Sequence, residues 1–234
     1  MPSFSIVIAA YNEATTLRQV FERCLAVLNQ CSEDFEIIIL DDASTDQTGE
    51  IAEQIRSEHP DTVRVLGHSK NRGIAVTFED LYRAAVKEYI FDIPADGEYP
   101  PEALLDILPL LAEYDIVVCH RTFKEYTTYR HIVSYLYRLL PRLLFGVELY
   151  DPGSAKCRSK NVIEDITVTS TGVFSEAERL IRAIRRGYRI GKVDVVPGRR
   201  IAGDPQGAKI SNVACAGFDL LCLWLRLIVL RQKA

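Results

Sequence analysis

Five short apolar runs, rich in β-branched residues, recur at nearly constant intervals along the first half of this chain, at residues 4–10, 35–40, 63–66, 89–93 and 116–119. They start 31, 28, 26 and 27 residues apart, the length of one strand plus its crossover helix. The stretches between them carry helix signals. Ser44-Thr45-Asp46-Gln47 reads as a capping box ahead of Ile51 and Ala52, and Pro100-Pro101-Glu102 opens a helix expected to end near Glu113. Such alternation implies α/β architecture, a mostly parallel, doubly wound sheet with helices on both faces. No linker-like composition interrupts the 234 residues, 48% of them hydrophobic, so one domain with a C-terminal elaboration is expected.

Beyond residue 120 the pattern changes. A basic, aromatic helical stretch at 129–144 is expected to be interrupted at Pro141, and Asp151-Pro152-Gly153-Ser154 reads as irregular. A helix at about 175–186, ended by Gly187, precedes one more strand at 189–196, a Gly/Pro-rich loop and a last apolar segment. Charge divides the same way: residues 1–120 hold 22 acids and 8 bases, residues 121–234 hold 10 acids and 20 bases. The halves should face different partners, while an overall charge of −4 argues against nucleic acid. The six cysteines form no Cys-x-x-Cys pair and have no nearby histidines, so they are expected to be reduced and buried. The N-terminus has no basic region or cleavage site ahead of Phe4, which predicts a cytoplasmic location.

In an open parallel sheet, ligands bind outside the carboxyl ends of the strands. The residues there are Tyr11-Asn12-Glu13, Asp41-Asp42, Asn71-Arg72-Gly73, Asp96-Gly97-Glu98 and His120-Arg121. The first turn lacks Gly-x-Gly-x-x-Gly and no Gly-x-x-x-x-Gly-Lys occurs, so a glycine loop cradling phosphates is not expected. An edge this acidic repels a diphosphate unless a divalent cation lies between them. Asp96 and Glu98, two residues apart, suit Mg²⁺ or Mn²⁺.

Three segments together carry a resemblance: Ala10-Tyr11-Asn12-Glu13, the run 37–48 containing Asp41-Asp42-Ala43-Ser44-Thr45-Asp46, and Ala95-Asp96-Gly97-Glu98-Tyr99-Pro100-Pro101-Glu102. In this order and at this spacing they resemble the motifs of family 2 glycosyltransferases of the GT-A fold, a Rossmann-like sheet, and within that family the polyprenol (dolichol) phosphate sugar synthase branch. The resemblance implies a nucleotide site at Ala9, Tyr11, Glu13, Asp42, Arg72, Ala95 and Asp96, with Asp42 accepting a base N–H, and a metal site at Asp96 and Glu98. Pro94 stands where the family's metal motif has its first acid, Ala9 where it usually has Pro, and Glu79 where a small residue is common.

Arg130, Ser134, Arg138 and Arg142 are spaced by four and so form one helical stripe, with Tyr135, Leu136, Leu139, Leu140 and Leu143 on other faces. Such a stripe is either a solvated helix face or a phosphate holder whose neighbours enter an apolar phase. The resemblance implies the second, with Arg121, Arg130, Ser134 and Arg200 on the acceptor phosphate and Arg199 an adjacent alternative to Arg200. Of these, Arg121, Arg130 and Arg200 join Asp96 as catalytic residues. The apolar segment at 213–230 is broken only by Asp219 and Arg226. With Asn212 these lie seven apart on one face, which suits a helix lying in a membrane interface rather than crossing it, with core or dimer packing as the competing reading. The expected domains are therefore a glycosyltransferase unit at 1–209, with a donor half at 1–120 and an acceptor half at 121–209, and an interfacial helix at 210–234.

The expected activity is inverting transfer of a hexose from a UDP- or GDP-linked sugar to a polyprenyl phosphate on the cytoplasmic face of a membrane. Two alternatives stand beside it. A soluble or polysaccharide hydroxyl acceptor would need a carboxylate base, for which Glu178 is the position to test, although a helix-surface charge is its expected role. A non-catalytic nucleotide-sugar-binding or membrane-associated protein is the other, kept open by Pro94. His59, His68, His120 and His131 have no mutual metal-site spacing; three of the four fall in expected loops, and His120, on the edge that carries the site, reads as a satisfied turn residue rather than a substrate contact.

Overall fold

The computed structural model describes residues 1–122, 128–198 and 210–232. Each of the five apolar runs is a strand: β1 (Phe4–Ala10), β2 (Phe35–Asp41), β3 (Val63–Gly67), β4 (Tyr89–Pro94) and β5 (Ile116–Arg121). All seven residues of β1 are buried, because helices cover both faces of the sheet and leave no polar side for alternation. The first crossovers are α1 (Leu17–Cys31), α2 (Thr48–Glu58) and α3 (Ile74–Ala84), followed by α4 (Ala103–Ile107) and α5 (Thr128–Phe145). The remaining elements are β6 (Lys156–Ser159), α6 (Lys160–Asp165), α7 (Ser175–Arg185), β7 (Ile190–Val195) and α8 (Ile210–Trp224). The strand order is β3-β2-β1-β4-β6-β5-β7. Neighbours run parallel except that β6 is antiparallel to both β4 and β5.

Several local expectations are corrected. Ser44 does not cap α2; its hydroxyl donates to Asp41, and Asp46 Oδ1 accepts the Thr48 N–H at 3.0 Å instead. The helix after Pro101 stops at Ile107 and tightens into a 3₁₀ turn, Leu108–Leu110, because Pro109 has no N–H to continue the α pattern. Conversely, α5 runs unbroken through Pro141. That ring is buried and faces α8 beside Val173 and Ala216, which offsets the lost hydrogen bond. Cys24, Cys31, Cys119 and Cys157 are buried, but Cys215 is exposed and Cys222 half-buried, both on α8.

Strand β6 escapes sequence reading because Lys156 and Arg158 flank Cys157 and look like a polar segment. Both cations are 1% exposed. Cys157 packs into the core on one face, and the two cations enter a buried ionic cluster on the other. Arg158 Nη2 lies 2.5 Å from Asp92 and 3.0 Å from Glu176, with its guanidinium 4.5 Å from the centre of the Tyr82 ring. Arg179 covers the same ring at 5.4 Å and pairs with Glu79, the residue that departs from the family pattern. Lys156 Nζ reaches Glu176 at 3.2 Å and donates to the Ser154 carbonyl at 2.5 Å. Burial opposes ionisation of Glu176, but Arg158, Lys156 and Arg179 outweigh it and hold its carboxyl well below the usual range.

α8 is apolar on its packed face and on its outer face alike. Ala216, Leu220, Leu223 and Leu227 are buried in a second core cluster with Val162, Phe174, Ala177 and Ile181. The polar stripe flanks that packed face: Asn212, Asp219 and Arg226 are half-buried, and Arg226 donates to Thr169 Oγ1 at 2.8 Å. What faces outward is apolar: Phe218 is 67% exposed, Leu221 54% and Val229 54%. Together with the wider π turn Leu225–Val229, the helix spans 20 residues and is long and apolar enough by length and composition to cross a membrane.

Candidate active site

The strand-end turns are laced together by their own side chains. Asn12 has φ +56°; its N–H donates to Ser44 Oγ at 2.9 Å and its Oδ1 accepts the Thr45 N–H at 2.8 Å. Glu13 N–H donates to Thr48 Oγ1 at 2.8 Å, and Ala14 N–H to Asp46 Oδ2 at 3.2 Å. The turns after β1 and β2 thus form one platform, from which Tyr11 projects into solvent. Ala9 and Ala95 are buried and joined by an Ala95 N–H to Ala9 carbonyl bond of 3.0 Å, so what they can offer a ligand is backbone.

Asp42 fixes the turn after β3. Its Oδ1 accepts the Arg72 N–H at 2.8 Å and faces His68 Nδ1 at 2.6 Å, while Oδ2 accepts the Gly73 N–H at 2.8 Å. Burial raises its carboxyl pKa, but these hydrogen bonds and the charge of His68 prevail and lower it, so the group is a carboxylate. His68 bridges onward through Nε2 to Asp80 at 3.1 Å, and Arg72 Nη1 meets the same Asp80 at 2.7 Å. This His68–Asp80 extension was missed by sequence reading: the β2–β3 pairing sets His68 beside Asp42, and α3 delivers Asp80.

The turn after β4 carries the acids. Asp96 is 6% exposed and its Oδ1 accepts the Glu98 N–H at 3.0 Å across Gly97, which takes φ +73°. Gly198 docks on this turn through an N–H to the Glu98 carbonyl at 2.8 Å, so close that a Cβ there would meet Gly97 O at 2.8 Å. Glu98 Oε1 in turn holds Arg121 Nη1 at 2.8 Å, at the end of β5. Among the described residues no group of three or more His, Cys, Asp or Glu is arranged to hold a metal. Two carboxylates on one turn still fit Mg²⁺ or Mn²⁺, which completes its shell with substrate phosphates and water rather than a protein cage.

Of the remaining expected residues, Ser134 is half-buried on α5, and Arg138 and Arg142 are exposed. Arg130 lies in α5 with its side chain outside the described residues, as do Arg199 and Arg200 altogether. Glu178 is not a surface charge. It is 1% exposed and accepts from both the N–H and the hydroxyl of Thr169 and of Ser170, and from Arg182 Nε at 2.8 Å. A carboxylate spent on five donors braces the α6–α7 loop and is poorly suited to take a substrate proton.

Burial raises the Glu178 pKa, but the Ser170 and Thr169 donors and Arg182 lower it further. A depressed folded pKa stabilises the protein fully above the ordinary glutamate value near 4.3 and loses that stabilisation as pH falls through the folded value. The stability gap between the wild type and Glu178→Gln, measured by urea unfolding, should therefore shrink from about pH 6 to pH 3. A gap that widens on acidification contradicts this bracing role.

Sequence comparison places the geometry in a family. The model of Glycosyl transferase family 2 matches residues 5–167, which includes all five strand-end turns. Undecaprenyl-phosphate 4-deoxy-4-formamido-L-arabinose transferase of Pectobacterium carotovorum is 27% identical over 64% of this chain; the chain spans less than half of that relative, 46% of its length. Undecaprenyl-phosphate mannosyltransferase of Micrococcus luteus is 25% identical over 85% of this chain and 84% of its own. Glucosyl-3-phosphoglycerate synthase from Mycobacterium tuberculosis, crystallised with Mn²⁺, UDP and phosphoglyceric acid, superimposes with a TM-score of 0.72 at 19% identity, covering 95% of this chain and 78% of that one. The fold is shared at that distance, and the strand-end turns fall within the matched segment: the chain belongs to glycosyl transferase family 2.

Proposed function

We propose that this chain moves a hexose from a nucleotide diphosphate sugar to a polyprenyl phosphate at a membrane surface. The observation that carries the reading is the contact between the acidic turn and a cation across the sheet: Glu98, two residues past Asp96, touches Arg121 at 2.8 Å. A site for a metal-neutralised diphosphate thereby adjoins an arginine suited to a second anion. The relatives named for transfer to undecaprenyl phosphate support the same acceptor class.

Tyr11, Glu13, Arg72 and the backbone at Ala9 and Ala95 would line the nucleotide. Asp42 spends two acceptor positions on Oδ1 and one on Oδ2, which leaves Oδ2 able to accept one N–H from a base; uridine and guanosine both offer one. Asp96, helped by Glu98, would hold Mg²⁺ or Mn²⁺. When bound, such a cation neutralises the diphosphate and polarises its leaving oxygen. Arg121, Arg130, Ser134 and Arg200 would align the acceptor phosphate for in-line attack with inversion. A phosphate is already ionised near neutrality, so no general base is needed. The occupied state of Glu178 favours this reading over a hydroxyl acceptor.

The unit at 1–209 would then be catalytic and residues 210–234 would seat it on the membrane. Support comes from the outward apolar faces of two packed helices, Tyr135 and Leu143 on α5 and Phe218 and Leu221 on α8. Incubating the purified protein with UDP- and GDP-sugars, Mn²⁺ and a short polyprenyl phosphate should yield a glycosylated lipid phosphate by mass spectrometry. In the same assay Arg130→Ala should raise the acceptor KM about tenfold and leave the donor KM within a factor of about two. Transfer that proceeds without the lipid, or an Arg130 effect confined to the donor, removes the proposal.

A further inference from the structure

Arg121 is gripped from two sides. While Nη1 meets Glu98, the opposite edge of the guanidinium is held by Asp151, with Nε to Oδ2 at 2.8 Å and Nη2 to Oδ1 at 2.9 Å. This fork fixes the plane of the group, which a single contact does not. The Tyr99 ring lies below it, 5.7 Å from the guanidinium carbon.

Asp151 is itself unusually constrained. It is 8% exposed and adopts φ +30°, a conformation that costs a non-glycine residue free energy and persists only when its surroundings enforce it. The surroundings are visible. The Asp151 carbonyl accepts from both the N–H and the hydroxyl of Ser154, at 3.0 and 2.7 Å. The Ser154 carbonyl accepts from buried Lys156, which is anchored on Glu176 in the ionic cluster under the sheet. A chain of contacts therefore runs from Glu176 through Lys156 and Ser154 to Asp151 and ends on Arg121.

We infer that Asp151 is a positioning residue for the acceptor site: it holds Arg121 in the plane and direction needed to bind a phosphate beside the donor turn. The inference rests on the proposed role of Arg121 toward the acceptor phosphate. Charge alone predicts the opposite sign. A carboxylate against the arginine weakens anion binding, so its removal should strengthen binding unless orientation matters more. The sign of the effect therefore separates positioning from simple neutralisation.

The test is calorimetric binding of farnesyl phosphate, with farnesol as the control lacking phosphate and UDP or GDP with Mn²⁺ as the donor-site control. Asp151→Asn should weaken farnesyl phosphate binding about tenfold, leave farnesol unchanged, and shift the nucleotide affinity by less than about twofold. In an Arg121→Ala background, Asp151→Asn should have no further effect on farnesyl phosphate, because its influence passes through the missing guanidinium. If Arg121→Ala loses its circular dichroism signal, Arg121→Lys takes its place, since an ammonium keeps the charge but cannot be held in a plane by the fork.

Unchanged or tighter farnesyl phosphate binding by Asp151→Asn overturns the positioning role, as does an equal loss in both backgrounds. The underlying assignment fails differently: the Arg121 variants would then bind farnesyl phosphate as the wild type does, or the wild type would not bind it at all, and the inference falls with it.

Discussion

Asp96→Ala is expected to reduce sugar transfer by roughly a thousandfold, the loss of several kcal/mol of charge stabilisation on the leaving diphosphate. The size follows from how few donors this turn has. Pro94 stands where the motif that this turn resembles has another acid, and Glu98 Oε1 is engaged by Arg121. Asp96 is thus the acid with the least redundancy. The bond it accepts from the Glu98 N–H adds about 1 kcal/mol to the fold. Thermal unfolding of the same variant, read beside its activity, separates a loss of chemistry from a loss of fold. Activity within a factor of about ten of wild type would show that the diphosphate is neutralised elsewhere.

Arg158→Ala is expected to have the largest effect on stability. The side chain is 1% exposed and serves Asp92, Glu176 and the Tyr82 ring together. Truncation leaves a buried carboxylate without its partner and a void where a large side chain was, which costs about 3–5 kcal/mol. For a chain of this length that lowers Tm by about 10 °C or more. Removing Asp92 as well should recover part of the loss, because the uncompensated charge then disappears. Differential scanning calorimetry reads both variants; a single variant whose Tm falls by less than about 2 °C would mean that Lys156 and Arg179 suffice to balance the cluster.

The first 120 residues were legible in the sequence because their strands are continuous apolar runs at a steady period, with the polar strand-end turns placed just after each one. The doubly wound sheet and the convergence of the Tyr11, Asp42, Asp96 and Arg121 turns followed from that pattern. The chain beyond residue 120 was less legible because several of its polar residues are inside. Lys156 and Arg158 are core residues that read as surface, so β6 was missed along with the antiparallel pairing it brings. Glu178 looked like one of several charges on a helix until the Thr169-Ser170 loop folded over it. The stripe Asp219 and Arg226 was found from its spacing of seven, yet its direction depends on Thr169, nearly sixty residues away in sequence. Periodicity identifies a face; only tertiary contacts say what that face meets. The same applies to Asp151, whose partner Arg121 lies across an intervening helix in the chain.

The most direct measurement is the anomalous diffraction of manganese in crystals grown with Mn²⁺ and the nucleotide diphosphate of the active donor. A manganese peak bonded to Asp96 and to both phosphates, with the base against Asp42, is the predicted result. Manganese bound away from Asp96, or a nucleotide seated off the β1, β2 and β4 ends, would contradict it.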